Sequence, residues 1–152
     1  MDRRIVVTGL GAMTPLGIHI DTVWERICRG VSGIHTITRF DTTDFPVRIA
    51  GEARDFVPEH YLDKRDIRRT DRFVQFALAA SQEAVQDAEL TITAANADRV
   101  GVYIGTAFGG LAYAAIRYRS AFRKNQGALS FSQRCSLRLM DFAEFSAIAF
   151  SY

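Results

Sequence analysis

The chain has 152 residues, 48% of them hydrophobic and 24% charged, proportions typical of a globular domain with an apolar core. A net charge of +2 is too small to indicate a nucleic-acid partner. No apolar run approaches the roughly 20 residues of a membrane span. A secretory leader needs a continuous apolar segment, and Thr8, Gly9 and Pro15 interrupt the apolar residues at the start of this chain. We therefore expect a soluble, cytoplasmic protein without a membrane partner.

The two cysteines, Cys28 and Cys135, have no CxxC spacing and no histidine cluster beside them. They therefore predict neither a disulfide framework nor a metal site, and no cofactor is expected. A reduced, cytosolic setting follows from the same usage. Cys28 falls in a predicted helix, where we expect a small, buried apolar residue.

The first third of the chain predicts a strand and a helix. Arg4–Thr8 is a β-branched run before Gly-Leu-Gly, which indicates a buried strand entering a tight turn. Asp21 is the predicted N-cap of a helix that runs through Ile27 and stops at Gly30. Residues 31–70 have no clear periodicity and are predicted to be irregular, with a mixed-charge stretch at their end that we interpret as a solvated surface.

The clearest helix in the sequence begins at Asp71 and has one apolar face. Its small residues would let that face approach a sheet closely. A second apolar run, Val100–Ile104, predicts another strand before a Gly-rich turn. Strand, helix, connection, helix and strand in this order indicate an α/β protein with parallel strands. The apolar positions of the long helix are Phe73, Phe76, Ala77, Ala80, Ala84, Val85 and Ala88.

Composition changes after Gly110. Residues 1–110 contain 13 Lys and Arg against 15 Asp and Glu, whereas residues 111–152 contain 6 against 2 and one glycine. We predict no strand after residue 104; Phe142, Phe145, Ile148 and Ala149 are spaced as a short helical stripe. A disordered tail, a lineage-specific ending and a frameshift or truncation are the alternatives, and the motifs below favour the last.

The Gly9-Leu10-Gly11 motif superficially matches a dinucleotide-binding fingerprint. That fingerprint needs a small residue at its third glycine position and a helix that begins at once. Thr14 occupies that position, and Pro15 and Gly17 prolong the turn instead. We therefore expect these glycines to serve backbone geometry, because glycine tolerates positive φ.

Ordered motifs along residues 1–113 resemble those of the elongating β-ketoacyl-[acyl-carrier-protein] synthases. The resemblance starts with the first strand and turn, residues 3–17, and continues in the expected order to the Gly-Gly-Leu turn. The further matching segments are Trp24-Glu25, Gly30–Ile34, Arg39–Asp41, Phe45–Glu52, Asp71–Ala77, Arg99–Thr106 and Gly109–Leu111.

The resemblance implies a partial thiolase-like α/β fold, formed by the N-terminal portion of its first αβ half. Residues 1–113 would be the synthase segment and residues 114–152 an atypical tail. Members of the family elongate fatty acids or polyketides by decarboxylating Claisen condensation on an acyl carrier protein, usually as homodimers. The sequence does not separate the two pathways.

The resemblance also implies an elbow cysteine as nucleophile, assisted by two histidines and a lysine. None of them maps onto this chain. Cys135 lacks the preceding strand and the small neighbours of that elbow, and the histidines at positions 19, 35 and 60 all precede the long helix. We therefore assign no catalytic residue and expect no condensing activity from this chain alone.

Phe108 is the one candidate substrate-binding residue. It resembles a family position that borders the acyl pocket, where a bulky ring would favour shorter acyl chains; alternatively, Phe108 simply packs. Two other functions stay open: a non-catalytic chain-length subunit, and a module that binds a carrier protein through the basic segment 111–152. A half-fold would expose sheet edges, so marginal solubility is expected.

Overall fold

A computed structural model describes residues 4–106, 109–110 and the backbone of 148–150, and it has α/β character. The strands are β1 (Leu10–Ala12), β2 (Ile34–Thr36), β3 (Ile49–Gly51) and β4 (Ile148–Phe150). The α-helices are α1 (Ile20–Cys28), α2 (Lys64–Ile67) and α3 (Arg72–Asp87), and short 3₁₀ turns lie at Pro58–His60 and Ala97–Arg99.

Helix α1 forms where the sequence predicts it, but its N-cap is His19 and not Asp21. The reason is tertiary: the side chain of Glu83, on α3, accepts a hydrogen bond from Ile20 N at 2.8 Å, so a distant residue satisfies the first helical amide. The predicted stop is confirmed. Gly30 has φ +66°, and Val31 N donates to Arg26 O in the pattern of a Schellman motif.

Helix α3 confirms the predicted start and apolar face. The Asp71 carboxylate accepts a hydrogen bond from Arg72 N at 2.8 Å, which caps the helix. At the other end the same Schellman pattern recurs, but Glu89 takes the left-handed position with φ +50°. The buried side of the helix consists of Gln75, Phe76, Ala77, Ala79, Ala80 and Ala84.

Gly9 and Gly11 lie directly against the alanine face of α3. A Cβ on Gly11 would overlap the carbonyl oxygen of Ala80, and one on Gly9 would come within 2.8 Å of Ala88 Cβ. Neither glycine is among the positive-φ residues of the described chain. The prediction that positive φ requires glycine at these two positions is therefore wrong. Glycine is required there because the backbone lies too close to α3 for a side chain.

The core lies between α3 and the segments that follow β1 and β3. Its fully buried large side chains are Phe76 and Met13. The rings of Phe56 and Phe76 meet edge to face, with centroids 4.7 Å apart. The remaining buried members are Ala53, Ala79 and Ala80.

The two predicted strands do not form in the described chain. Arg4–Thr8 and Val100–Ile104 are not strands, and all of their apolar side chains except half-buried Val100 are exposed, with Ile5 at 81% and Tyr103 at 85%. A strand needs a neighbour to complete its hydrogen bonds, and the described strands supply none at these positions. Both described ladders, β1 with β4 and β2 with β3, are antiparallel, so the parallel pairing predicted is not formed by them.

Two further expectations need correction. The prediction of no strand after residue 104 is wrong, because Ile148–Phe150 forms β4 and pairs with β1. Ile148 and Ala149 are thus in a strand and not in a helical stripe, whereas Phe142 and Phe145 lie outside the described residues. Residues 31–70, predicted to be irregular, contain the β2–β3 ladder and α2.

Candidate functional site

Phe108 lies outside the described residues, but the turn that follows it is described. Gly109 faces the ring of Phe73 on α3: a Cβ on Gly109 would stand 2.8 Å from Phe73 Cε2 and 2.9 Å from Thr106 Cγ2. Gly110 adopts φ +84°, which favours glycine. Both glycines are therefore needed to bring this turn against the N-terminal end of α3.

Arg72 directly precedes Phe73 on α3. Its side chain stacks on the aromatic core. Its guanidinium carbon is 5.2 Å from the Phe56 ring centroid and 5.0 Å from that of Phe76, and Nη2 donates to Ala53 O at 3.3 Å. Burial, and then the neighbouring Arg39, lower the pKa of Arg72 below its ordinary value. The start of α3 thus carries a cation packed on apolar surface.

An exposed basic surface precedes α3, and we call it the α2 surface. Its cations are Lys64, Arg65, Arg68 and Arg69, on α2 and the turn after it, and the exposed Asp66 lies among them. Buried Gln75 ties this surface to the core, because its Nε2 donates to Ile67 O at 3.1 Å and to Thr70 O at 3.2 Å. The exposure predicted for this stretch is confirmed. The hydrogen bonds from Gln75 hold in place the backbone that carries the cations.

Glu52 is a buried carboxylate that holds the segment after β3 against the segment after β2. It accepts hydrogen bonds from Thr38 N at 3.0 Å, Thr38 Oγ1 at 2.9 Å and Arg39 N at 3.2 Å, and pairs with Arg54 at 2.9 Å. Burial by itself would raise the pKa of Glu52, but these hydrogen bonds outweigh it and leave the pKa below its ordinary value. Glu52 thus stabilises the fold in its ionised form.

The described thiol and imidazoles do not come together as a catalytic group. Cys28 ends α1 and is exposed, so its predicted burial is wrong: the buried residue of α1 is Val23, and Cys28 faces outward. The histidines at 19, 35 and 60 are all exposed, and His19 contacts Glu83 at 3.5 Å. Within residues 4–106 and 109–110, no three His, Cys, Asp or Glu side chains are grouped to hold a metal. Cys135 lies outside the described residues.

A family model described as the N-terminal domain of β-ketoacyl synthase matches residues 2–140. The chain belongs to the β-ketoacyl synthase family. The family is one of transferases of fatty-acid biosynthesis, and the α/β fold described above is its N-terminal domain in part. Among described helices, none has the length and apolarity to cross a membrane.

Named relatives support this placement. The chain is 43% identical over 129 residues to 3-oxoacyl-[acyl-carrier-protein] synthase 2 of Staphylococcus aureus, covering 85% of this chain and 31% of that protein. It is 49% identical over 109 residues to the synthase 2 of Synechocystis sp., covering 72% and 26%. The chain therefore spans about a third or less of the β-ketoacyl synthases it matches.

A solved structure gives the same result in three dimensions. The ishigamide ketosynthase/chain length factor superposes with a TM-score of 0.63 and 30% identity, over 80% of this chain and 30% of the other. At this identity the likeness supports the family placement as well as the fold.

Sequence reasoning missed Gln75 and Glu52 as buried polar residues that hold neighbouring segments together. Both lie within segments quoted for the family resemblance, but a polar residue on a helix or beside a strand gives no sign of burial by itself. A glutamine between two apolar helix positions, Phe73 and Phe76, was the one available signal.

Proposed function

We propose that the chain supplies the N-terminal part of a 3-oxoacyl-[acyl-carrier-protein] synthase and does not condense acyl chains by itself. The identity of 43–49% to two synthases supports the first part. The second part rests on the inventory of side chains: the three described histidines are exposed, and so is Cys28, the last residue of α1.

A condensation assay tests this proposal. The full chain is incubated with malonyl- and acyl-carrier protein, and the product is followed by mass spectrometry. We expect no product above the protein-free reaction and no acyl thioester on the protein. An acyl thioester that Cys135→Ser abolishes and Cys28→Ser retains would contradict the proposal.

The N-terminal role is tested separately with a chimaera. Residues 1–113 replace the matching segment of the Staphylococcus aureus synthase, so that the rest of that protein surrounds them. We expect condensing activity, because the segment brings the α3 scaffold and the Gly109–Gly110 turn. A folded but inactive chimaera would contradict the N-terminal role without bearing on the activity of the isolated chain.

The chimaera also tests the proposed role of Phe108 at the acyl pocket. The turn that follows it in sequence supports this role, because Gly109 lies against Phe73 near the start of α3. We expect the chimaera to make shorter products than its Phe108→Ala variant, since a removed ring leaves room for further methylene groups. Equal product lengths would favour Phe108 as a packing residue only.

We further propose that the α2 surface contacts the carrier protein. Four exposed cations and one exposed aspartate lie within six residues, and a carrier protein with an acidic surface would complement the net positive charge. Arg65→Glu/Arg68→Glu is expected to weaken binding of the carrier protein by about tenfold or more, and added salt to weaken wild-type binding. The charge-matched control is Arg29→Glu/Arg99→Glu; equal losses in both would contradict a local site.

The division at residue 113 and the homodimer remain predictions. The family match continues to residue 140, so it does not itself draw the boundary. Limited proteolysis is expected to cut first within 114–147 if that segment is a separate tail. Early cleavage within 72–110 would contradict the boundary.

The chain-length-subunit alternative keeps one supporting observation, the likeness to the ishigamide ketosynthase/chain length factor. The chimaera distinguishes it from the synthase proposal. A non-catalytic subunit would bind the carrier protein but would not restore condensation in the synthase context.

A further inference from the structure

The side of β1 that does not pair with β4 is lined by two carboxylates from α3. Asp87 Oδ2 accepts a hydrogen bond from Leu10 N at 2.8 Å, and Glu83 Oε2 accepts one from Ala12 N at 2.9 Å. Glu83 and Asp87 are four residues apart, so they lie on one face of the helix, one turn from each other.

The alternation of a strand shows that this side of β1 is an edge that none of the described strands pairs with. Leu10 and Ala12 point their amides in the same direction, and Gly11, between them, points its amide and carbonyl in the other. In the register of the ladder, Gly11 is opposite Ala149 of β4. The β4 side of β1 therefore uses the polar groups of Gly11, and the amides of Leu10 and Ala12 are the donors that a further strand would require.

The close packing of β1 on α3 makes this capping possible. Gly9 and Gly11 have no side chains, so the strand backbone lies against Ala80, Ala84 and Ala88. At that distance a carboxylate on the same helix reaches the strand amides directly. Glu83 also accepts from Ile20 N at 2.8 Å, which fixes its position further.

We propose that Glu83 and Asp87 close the open edge of β1 against a second copy of this chain. An exposed edge strand is a template for pairing, and charged side chains on it prevent such pairing. The β-branched run Ile5–Val7 precedes β1 and is exposed, so every copy offers a segment of high strand propensity. Antiparallel pairing of two such edges would displace the carboxylates and bring four of them together, which their mutual repulsion opposes.

Sedimentation equilibrium of the full chain tests the proposal. Glu83→Ala/Asp87→Ala is expected to raise the association constant by at least about tenfold. The control Glu59→Ala/Asp98→Ala removes the same charge from exposed positions outside α3 and is expected to change the association constant less than about twofold. Equal association of the two double variants would overturn the proposal.

A third variant identifies the surface that associates. Val6→Pro, added to Glu83→Ala/Asp87→Ala, removes a strand amide and is expected to restore the wild-type association constant. Persistence of the association would overturn the second copy's strand as the occupant. If the far-ultraviolet circular dichroism of the double variant shows loss of helix, the single variant Asp87→Ala decides, since the hydrogen bond from Leu10 N to Asp87 is exposed. An unchanged association constant in that folded variant would overturn the proposal.

Discussion

Two neighbouring stretches of the N-terminal segment differ in their exposure to solvent. Ile5–Val7 is the more hydrophobic, yet it is exposed; Gly9–Met13 contains two glycines, yet it lies on α3 and ends in the fully buried Met13. Burial here follows the presence of a partner surface and not the hydrophobicity of the segment. The alanine face of α3 accepts glycines, whereas the β-branched run has no described strand beside it.

The largest effect is expected from Gly11→Ala. Its Cβ would overlap the carbonyl oxygen of Ala80 and stand 2.8 Å from Ala84 N, so β1 would have to leave the helix. We expect the free energy of unfolding to fall by about 3 kcal/mol or more. Urea denaturation followed by circular dichroism measures it.

Gly105→Ala is the matched control for that substitution. Nothing lies within 4 Å of a Cβ at Gly105, so the same change there is expected to alter stability by less than about 0.5 kcal/mol. Similar losses at both positions would mean that α3 does not require glycine at position 11.

Next in size is the contrast between Met13→Ala and Val6→Ala. Met13 is 1% exposed and belongs to the core, so its truncation is expected to cost about 2–3 kcal/mol. Val6 is 62% exposed, and its truncation is expected to cost less than about 0.5 kcal/mol. A larger loss at Val6 in thermal or urea unfolding would show that residues 5–7 are packed after all.

The pH dependence of stability extends the contrast to a polar region. The pKa of Glu52 is lower in the folded chain than its ordinary value of 4.5, so the unfolded chain binds the proton more tightly. The resulting stabilisation is present above about pH 4.5 and is lost as the pH falls through the folded pKa. Glu52→Gln is expected to weaken that acid dependence, measured by urea unfolding at a series of pH values. An unchanged slope would assign the dependence to other carboxylates.

The smallest expected effect is a gain in stability. Glu89 takes the left-handed position at the end of α3, where α1 has Gly30 in the same motif. Glu89→Gly is expected to stabilise the chain by up to about 1 kcal/mol, because relief of the left-handed strain exceeds the entropy that glycine adds to the unfolded state. Gly30→Ala is the converse and is expected to destabilise. A lower melting temperature for Glu89→Gly would contradict this account.

Much of the helical structure was predictable because its signals are local. The Asp71 cap and the apolar spacing of α3, and the Gly30 stop of α1, depend on residues within one or two turns. The cap of α1 could not be predicted, because the acceptor for Ile20 N is Glu83, 63 residues away. The same holds for the strands, whose partners lie elsewhere in the chain: β1 pairs with Ile148–Phe150, which composition did not mark as a strand.

The sequence by itself determined the family and the start and apolar face of α3. The tertiary structure alone decided which apolar runs are buried, why Gly9 and Gly11 are glycines, and what Glu83 and Asp87 do at the edge of β1. The physical reason is range. Helix caps and periodicity act over a few residues, whereas burial and strand pairing depend on which surfaces distant parts of the chain bring together.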